Sequence, residues 1–400
     1  MSRARLLGVG LAALALVGCA QVPPGAGPTA SGAPPVSPAV TPSPVASTPA
    51  STPAATTCAE LAGAMTLREQ AAQLVMMGVT GDLDAAERSA LGEHRFGSVI
   101  LMGNTTEGVA GTRQRTRSIQ DAGGGSVLVA VDQEGGLVRR LRGAGFTDMP
   151  SAAEQAKLAP AELLAAARVW GREMAEAGVH LDLAPVADVV PAAKQRTNEP
   201  IGKLGRGYGS TPEAVAERVA VVVAGFRAGG IASSAKHFPN LGEVVGNTDF
   251  AAKVVDDVTT RDAPALEPYR RAIAAGIETV MVSTAWYPRI DPDAPAAFSP
   301  AVVSILRDDL GFSGVVVSDD LGVAKAVADV PARERGVRFV RAGGDLAIAV
   351  DPAPAQQMVD GLVAAAQDDA ALRGRVAESA GRVLALKSGL GLARCEAVVR

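Results

Sequence analysis

The sequence is poor in several things at once, and each shortage removes a class of function. Aromatic residues make up 3% of the 400 residues, too few for the stacking platforms on which single-stranded nucleic acids are bound. Basic residues do not outnumber acidic ones: the formal net charge is −4, which argues against a nucleic-acid surface as the main business of the chain. There are three histidines and three cysteines, with no His-Glu-x-x-His and no Cys-x-x-Cys, so no metal site and no cofactor are expected. A long apolar run is also missing. The longest near the N-terminus, Leu6 to Val17, falls short of the ~20 residues a membrane-spanning helix takes.

What is present divides the chain into three parts. Arg3 and Arg5 precede the apolar run, and Gly18-Cys19 follows it, which is the layout of a secretory signal over residues 1–18. Residues 19–57 read as a disordered linker: positions 20–57 hold 10 of the 26 prolines among Ser, Thr, Ala and Gly and carry no charge, so they bury nothing. The remainder, 58–400, is a single globular domain. It begins and ends near a cysteine, Cys58 and Cys395, and outside the cytoplasm these two are expected to pair.

Within the domain, continuous apolar runs alternate with amphipathic stretches. Strands are expected at 74–79, 98–102, 127–131, 179–183, 231–235, 279–283, 314–317 and 346–350, each apolar throughout, as parallel strands buried on both faces are. Helices are expected between them, for example over 214–228 and 300–310. Eight strand–helix repeats predict an α/β fold of the (β/α)8 TIM-barrel kind. The alternative, an open doubly wound sheet, lacks a Gly-x-Gly-x-x-Gly after its first strand.

In such a barrel the site lies at the C-terminal ends of the strands. Asp132-Gln133-Glu134-Gly135-Gly136 follows the third, with Arg139 and Arg140 close behind. Asp188 and a long loop with Gly205-Arg206-Gly207 follow the fourth, Lys236-His237-Phe238-Pro239 the fifth, and Ser318-Asp319-Asp320-Leu321 the seventh. Acids, bases and an imidazole converging there suit a polar ligand with many hydroxyls.

Two resemblances sharpen this. Leu16-Val17-Gly18-Cys19 resembles the bacterial lipobox, which implies lipidation at Cys19, a membrane anchor and a place in the cell envelope facing away from the cytoplasm. The segments above, in their order and together with Ala184-Pro185-Val186-Ala187-Asp188 and Phe298-Ser299-Pro300, resemble family 3 glycoside hydrolases. More narrowly, the chain is similar from about Leu67 to Leu386 to their single-domain bacterial β-N-acetylhexosaminidases. The resemblance implies a retaining mechanism on a small carbohydrate, with terminal N-acetylglucosamine released from peptidoglycan-derived fragments by a monomer. It implies Asp319 as nucleophile, and Asp132, Arg140, Arg206, Lys236 and His237 as the residues that hold the sugar. Asp320 is expected to be structural, and so are His94 and His180.

The chain departs from that family at the acid. Where these enzymes read Lys-His-Phe-Pro-Gly-His-Gly and then Asp-Ser-His, this sequence reads Lys236-His237-Phe238-Pro239-Asn240-Leu241-Gly242 and Asn247-Thr248-Asp249. Three readings follow: Asp249 is the acid/base, Glu243 is, or the protein is a lipoprotein that binds glycans or muropeptides and turns them over weakly or not at all. A family 3 β-glucosidase is disfavoured, because that branch typically has Ser-Asp-Trp at the nucleophile and a second domain that this chain has no room for.

Overall fold

The computed structural model describes residues 56–396. Cys19, the signal segment and the linker up to residue 55 therefore lie outside the described residues. Eight parallel strands close into a barrel: β1 Val75–Thr80, β2 Ser98–Met102, β3 Leu128–Val131, β4 Leu181–Asp182, β5 Ala232–Phe238, β6 Thr279–Val282, β7 Val315–Asp320 and β8 Leu346–Ala349. Each pairs with its neighbours in chain order, and β8 returns to β1 through Val75 opposite Ala347.

Alternation along the strands sorts side chains into two cores. Met76, Ile100, Leu128, Ala130, Leu181, Ala232, Met281, Val315, Val317, Leu346 and Ile348 fill the barrel interior. The residues between them, such as Val75, Val99, Val129, Val280 and Val316, face outward and pack beneath the helices. Strands with apolar side chains on both faces are what the unbroken apolar runs in the sequence encode.

The helix over Pro212–Gly229 shows how the outer layer is built. Thr211 caps it, Pro212 opens it where no amide partner is needed, and Gly230 closes it at φ +92°. Val215, Val219, Val222, Val223 and Phe226 form the stripe it buries. The stretch expected to be one helix over 300–310 is instead an α-turn over Pro300–Ser304 that widens to a π-turn over Ile305–Asp309.

The last helix, Ala370–Gly389, closes the barrel at its N-terminal pole. Val383 and Leu386 join the interior core, and Lys387 Nζ donates to Gln73 Oε1 at 2.8 Å, just before β1 begins. The helix over Cys58–Ala64 packs against this closing helix, and a disulfide joins Cys58 to Cys395. Both ends of the described chain therefore lie together, and Cys58 N donates to Glu396 O at 3.0 Å.

Candidate active site

The interior register carries polar side chains to the opposite pole. Leu128, Ala130 and then Asp132 point inward from the third strand, Ala232, Ser234 and Lys236 from the fifth, and Val315, Val317 and Asp319 from the seventh. The fifth and seventh strands run further than their apolar runs suggest, so Lys236, His237 and Asp319 lie on strands rather than after them. Their backbones stay in the ladder while their side chains open at the mouth.

Lys236 is the centre of the charged floor. Its Nζ lies 2.7 Å from Asp132 Oδ1 and 2.7 Å from Glu134 Oε1. Arg206 meets Glu134 as a fork, with Nε to Oε2 and Nη2 to Oε1 both at 2.7 Å, while its Nη1 donates to the Pro200 carbonyl. Glu134 and Lys236 are buried. Burial alone would raise the Glu134 pKa, but the charges of Arg206 and Lys236 outweigh it and hold the carboxyl well below the usual range. Burial would lower Lys236, and Asp132 and Glu134 reverse that, so the ammonium stays charged. Glu134 turns inward because the chain folds back immediately after it. Gly135 sits at φ +96°, and a Cβ there would lie 2.1 Å from the Pro150 carbonyl.

Asp188 is wholly buried and fixes the imidazole beside this floor. His237 Nδ1 is 2.7 Å from Asp188 Oδ2, and Asp188 Oδ1 accepts from the amides of His237 and Leu241. With Nδ1 engaged, the other ring nitrogen is the one left to face the site. Arg140 stands at the rim. Its Nη1 reaches Asn104 Oδ1 at 3.4 Å, and among the described residues no carboxylate pairs with it.

The loop after β5 brings Asp249 over the mouth. Asn247 Oδ1 accepts from the Asp249 amide at 2.9 Å, which turns the chain. Two backbone bonds then lace this loop to the one after β7: Lys325 N to Asp249 O at 3.2 Å, and Ala326 N to Thr248 O at 3.1 Å. Asp249 keeps an open path to solvent, yet the walls of the mouth exclude enough water to raise its pKa to about 6. The nearby charge of Asp319 adds to that rise, against the opposing pull of His237 and Arg206. Glu243 is placed otherwise: its carboxylate pairs with Lys194 at 2.7 Å.

Asp319 and Asp320 are adjacent and do different work. Asp319 lines the mouth and accepts from the Asp320 amide. Asp320 accepts four backbone amides: Gly322 and Val350 on Oδ1, Val323 and Ala324 on Oδ2. It pins the loop after β7 to the end of β8, the structural part expected of it.

The structure thus gathers Asp132, Lys236, His237, Arg206, Asp249 and Asp319 at one pole, with Arg140 at the rim. His94, which ends the helix over Ala85–Glu93, and His180, which precedes β4, lie elsewhere. Burial and the nearby Lys387 push His180 down to about 4. The sequence places Glu134 and Asp188 at the mouth but assigns them no role there. Glu134 had a signal, since it lies two positions beyond Asp132 and so on the same face of an extended chain. Asp188 had its place after the fourth strand, but not its partner: its bond to His237 joins positions 49 apart.

This arrangement has known relatives. The profile of the glycosyl hydrolase family 3 N-terminal domain matches residues 66–386. A β-hexosaminidase of Stenotrophomonas maltophilia is 32% identical over 322 residues, 77% of this chain and 92% of that protein. The β-hexosaminidase LpqI of Mycobacterium tuberculosis is 32% identical over 319 residues, 76% of this chain and 79% of its own. Among solved structures, a β-N-acetylhexosaminidase from Beutenbergia cavernae superposes with a TM-score of 0.79 at 42% identity, over 81% of this chain and 99% of that one.

Proposed function

The chain belongs to glycosyl hydrolase family 3, and from that premise we propose that it is a retaining, exo-acting β-N-acetylhexosaminidase that removes terminal N-acetylglucosamine from peptidoglycan-derived fragments. One observation carries the chemistry: two carboxyls meet at the mouth, Asp319 on its strand and Asp249 on the loop above, and the second is raised to about 6 partly by the first. Two carboxyls held in different protonation states are what a retaining glycosidase needs.

In the first step the ionised carboxylate of Asp319 attacks the anomeric carbon. The bond to the leaving oxygen breaks, and that oxygen takes the Asp249 proton. A glycosyl ester on Asp319 results. In the second step Asp249, now ionised, takes a proton from water, the water oxygen attacks the same carbon, and Asp319 is released. Asp132, Lys236, Arg206, His237 and Arg140 hold the sugar hydroxyls. The Glu134 and Asp188 anchors keep the cations and the imidazole oriented while water is displaced.

Asp249 takes the acid/base part in preference to Glu243, whose carboxylate is held by Lys194. We place the enzyme outside the cytoplasm, held to the membrane through a lipid on Cys19. The Cys58–Cys395 disulfide supports an oxidising compartment. Fractionation of the native bacterium, with Cys19→Ala releasing the protein from membranes, tests that part.

The test of mechanism uses two variants. Asp319→Asn is expected to abolish turnover of an aryl N-acetylglucosaminide while the fold persists, and a residual rate above roughly a few per cent excludes Asp319 as nucleophile. Asp249→Ala is expected to cripple hydrolysis of a disaccharide, whose leaving oxygen needs a proton, by roughly 10²–10⁴-fold. Formation of the glycosyl-enzyme from a dinitrophenyl substrate should be spared, and azide should rescue its breakdown. Equal losses on both substrates without azide rescue favour the glycan-binding lipoprotein, a reading kept in view by the Asp that stands at position 249 in place of His.

A further inference from the structure

The mechanism leaves one surface feature unused. Among the described residues seven large apolar side chains are exposed, and six of them lie on loops beyond the C-terminal ends of strands: Leu137 after β3, Val245, Phe250, Val255 and Val258 after β5, and Val323 after β7. Only Leu164, on the helix over Pro160–Glu176, lies elsewhere. Single exposed apolar side chains need no explanation, but their concentration on the face that carries the site does. Phe250 is the most exposed, at 83%.

Phe250 follows Asp249 directly, and its amide donates to the Asn247 carbonyl at 3.1 Å. Val323 lies on the loop laced to this one through Lys325 and Ala326, and the Asp320 carboxylate holds its amide. The pair therefore sits on two fixed loops at the seam beside Asp249. The floor of the mouth is occupied by the charges of Asp132, Lys236, Glu134 and Arg206, which suit hydroxyls and repel hydrocarbon. A proton donor must touch the oxygen that leaves, so the group bonded to that oxygen passes beside Asp249, on the side away from the charged floor. Phe250 adjoins Asp249 in the chain, Val323 lies on the loop bonded to that segment, and both side chains are exposed.

We propose that Phe250, with Val323, forms the leaving-group subsite and takes the hydrocarbon face of the departing ring. This rests on the hexosaminidase reading with Asp249 as the acid. An aromatic ring offers a flat apolar surface to the C–H face of a pyranose, and the contact buries on both partners surface that water would otherwise cover. The subsite then selects for what the sugar is attached to, while the charged floor selects the sugar.

The experiment compares kcat/KM for 2,4-dinitrophenyl N-acetylglucosaminide and for N-acetylglucosaminyl fluoride in the wild type, Phe250→Ser and Val323→Ser. The dinitrophenyl ring needs no proton to leave, and the fluoride has no ring to bind. A fall in the dinitrophenyl-to-fluoride ratio of about tenfold in Phe250→Ser, with a smaller fall in Val323→Ser, is the expected result. A ratio preserved in both variants overturns the proposal. If both substrates slow together, the ratio is again preserved, and Phe250 then serves to position the Asp249 loop instead. A wild-type protein that turns over neither substrate overturns the hexosaminidase reading itself, and this subsite with it.

Discussion

At the scale of single residues, the feature that stands out is a carboxyl whose pKa is raised beside a second one. Asp249 is raised from 3.8 to about 6, first by the loss of water around it and then by the charge of Asp319. The sign of the pH effect follows. A raised carboxyl is protonated, and able to donate, below about 6, and it loses that ability as pH rises through this value. The kcat/KM for a disaccharide should therefore decline above about pH 6, whereas a dinitrophenyl glycoside should show no such decline, because its leaving group needs no proton. Parallel profiles for the two substrates would remove Asp249 from the acid's part. The same shift bears on folding: the unfolded chain gives up this proton at lower pH, so the stabilising contribution is complete in acid and fades as pH rises through about 6.

Residue identities at this pole were legible to different degrees, and the reason is geometric. Asp132, Lys236 and Asp319 each continue an inward alternation begun by apolar neighbours, so their direction follows from a period of two. Asp249 was legible only through comparison with a motif from which it differs. Nothing in local sequence says that Asn247 turns the chain or that Thr248 and Asp249 bond to the following loop. The ion-pair chain Asp132–Lys236–Glu134–Arg206 spans three separate loops and strands, and a linear pattern does not encode which acid meets which base.

At the scale of elements, the loop after β7 is the piece most dependent on one side chain. Asp320 accepts four backbone amides within 3.1 Å, drawing together the Gly322–Ala324 turn and Val350 at the end of β8. The same loop supplies Lys325 and Ala326 to the Asp249 segment. Asp320→Ala should leave those amides without their acceptor and cost about 2–3 kcal/mol of stability, read by denaturant unfolding. It should also lower kcat with Asp319 still in place, because both carboxyl-bearing segments lean on this turn. A variant with full activity would show that the turn holds its shape without the carboxylate.

Element limits were readable where strands are apolar on both faces. β2 spans the same residues as its apolar run, and β6 and β8 differ from theirs by one residue. The limits moved where polar residues extend a strand into the mouth, as in β5 and β7, since hydropathy stops at Ala235 and Val317 while the backbone ladder continues.

At the scale of the whole molecule, the two poles divide the labour. One is open, charged and rimmed by loops; the other is closed by the Ala370–Gly389 helix, where Lys387, with the neutral Gln73 as its hydrogen-bond acceptor, is pushed down by burial to about 7. The disulfide belongs to the closed pole and links residues 337 apart. In the chain-entropy picture a loop of this length stabilises by roughly 6 kcal/mol as an upper value. Reduction, or Cys58→Ser with Cys395→Ser, should lower the melting temperature while leaving kcat on an aryl substrate close to that of the oxidised protein, since the bond lies at the pole opposite the mouth. A large loss of activity without loss of stability would contradict that separation.

The same bond makes the polypeptide a covalent ring from Cys58 to Cys395. A protease that cuts any single loop between them opens the ring without dividing it. The nicked protein gains only the mass of a water and runs as one species until a thiol is added, when two fragments part. A chain closed in this way survives its first cut in one piece.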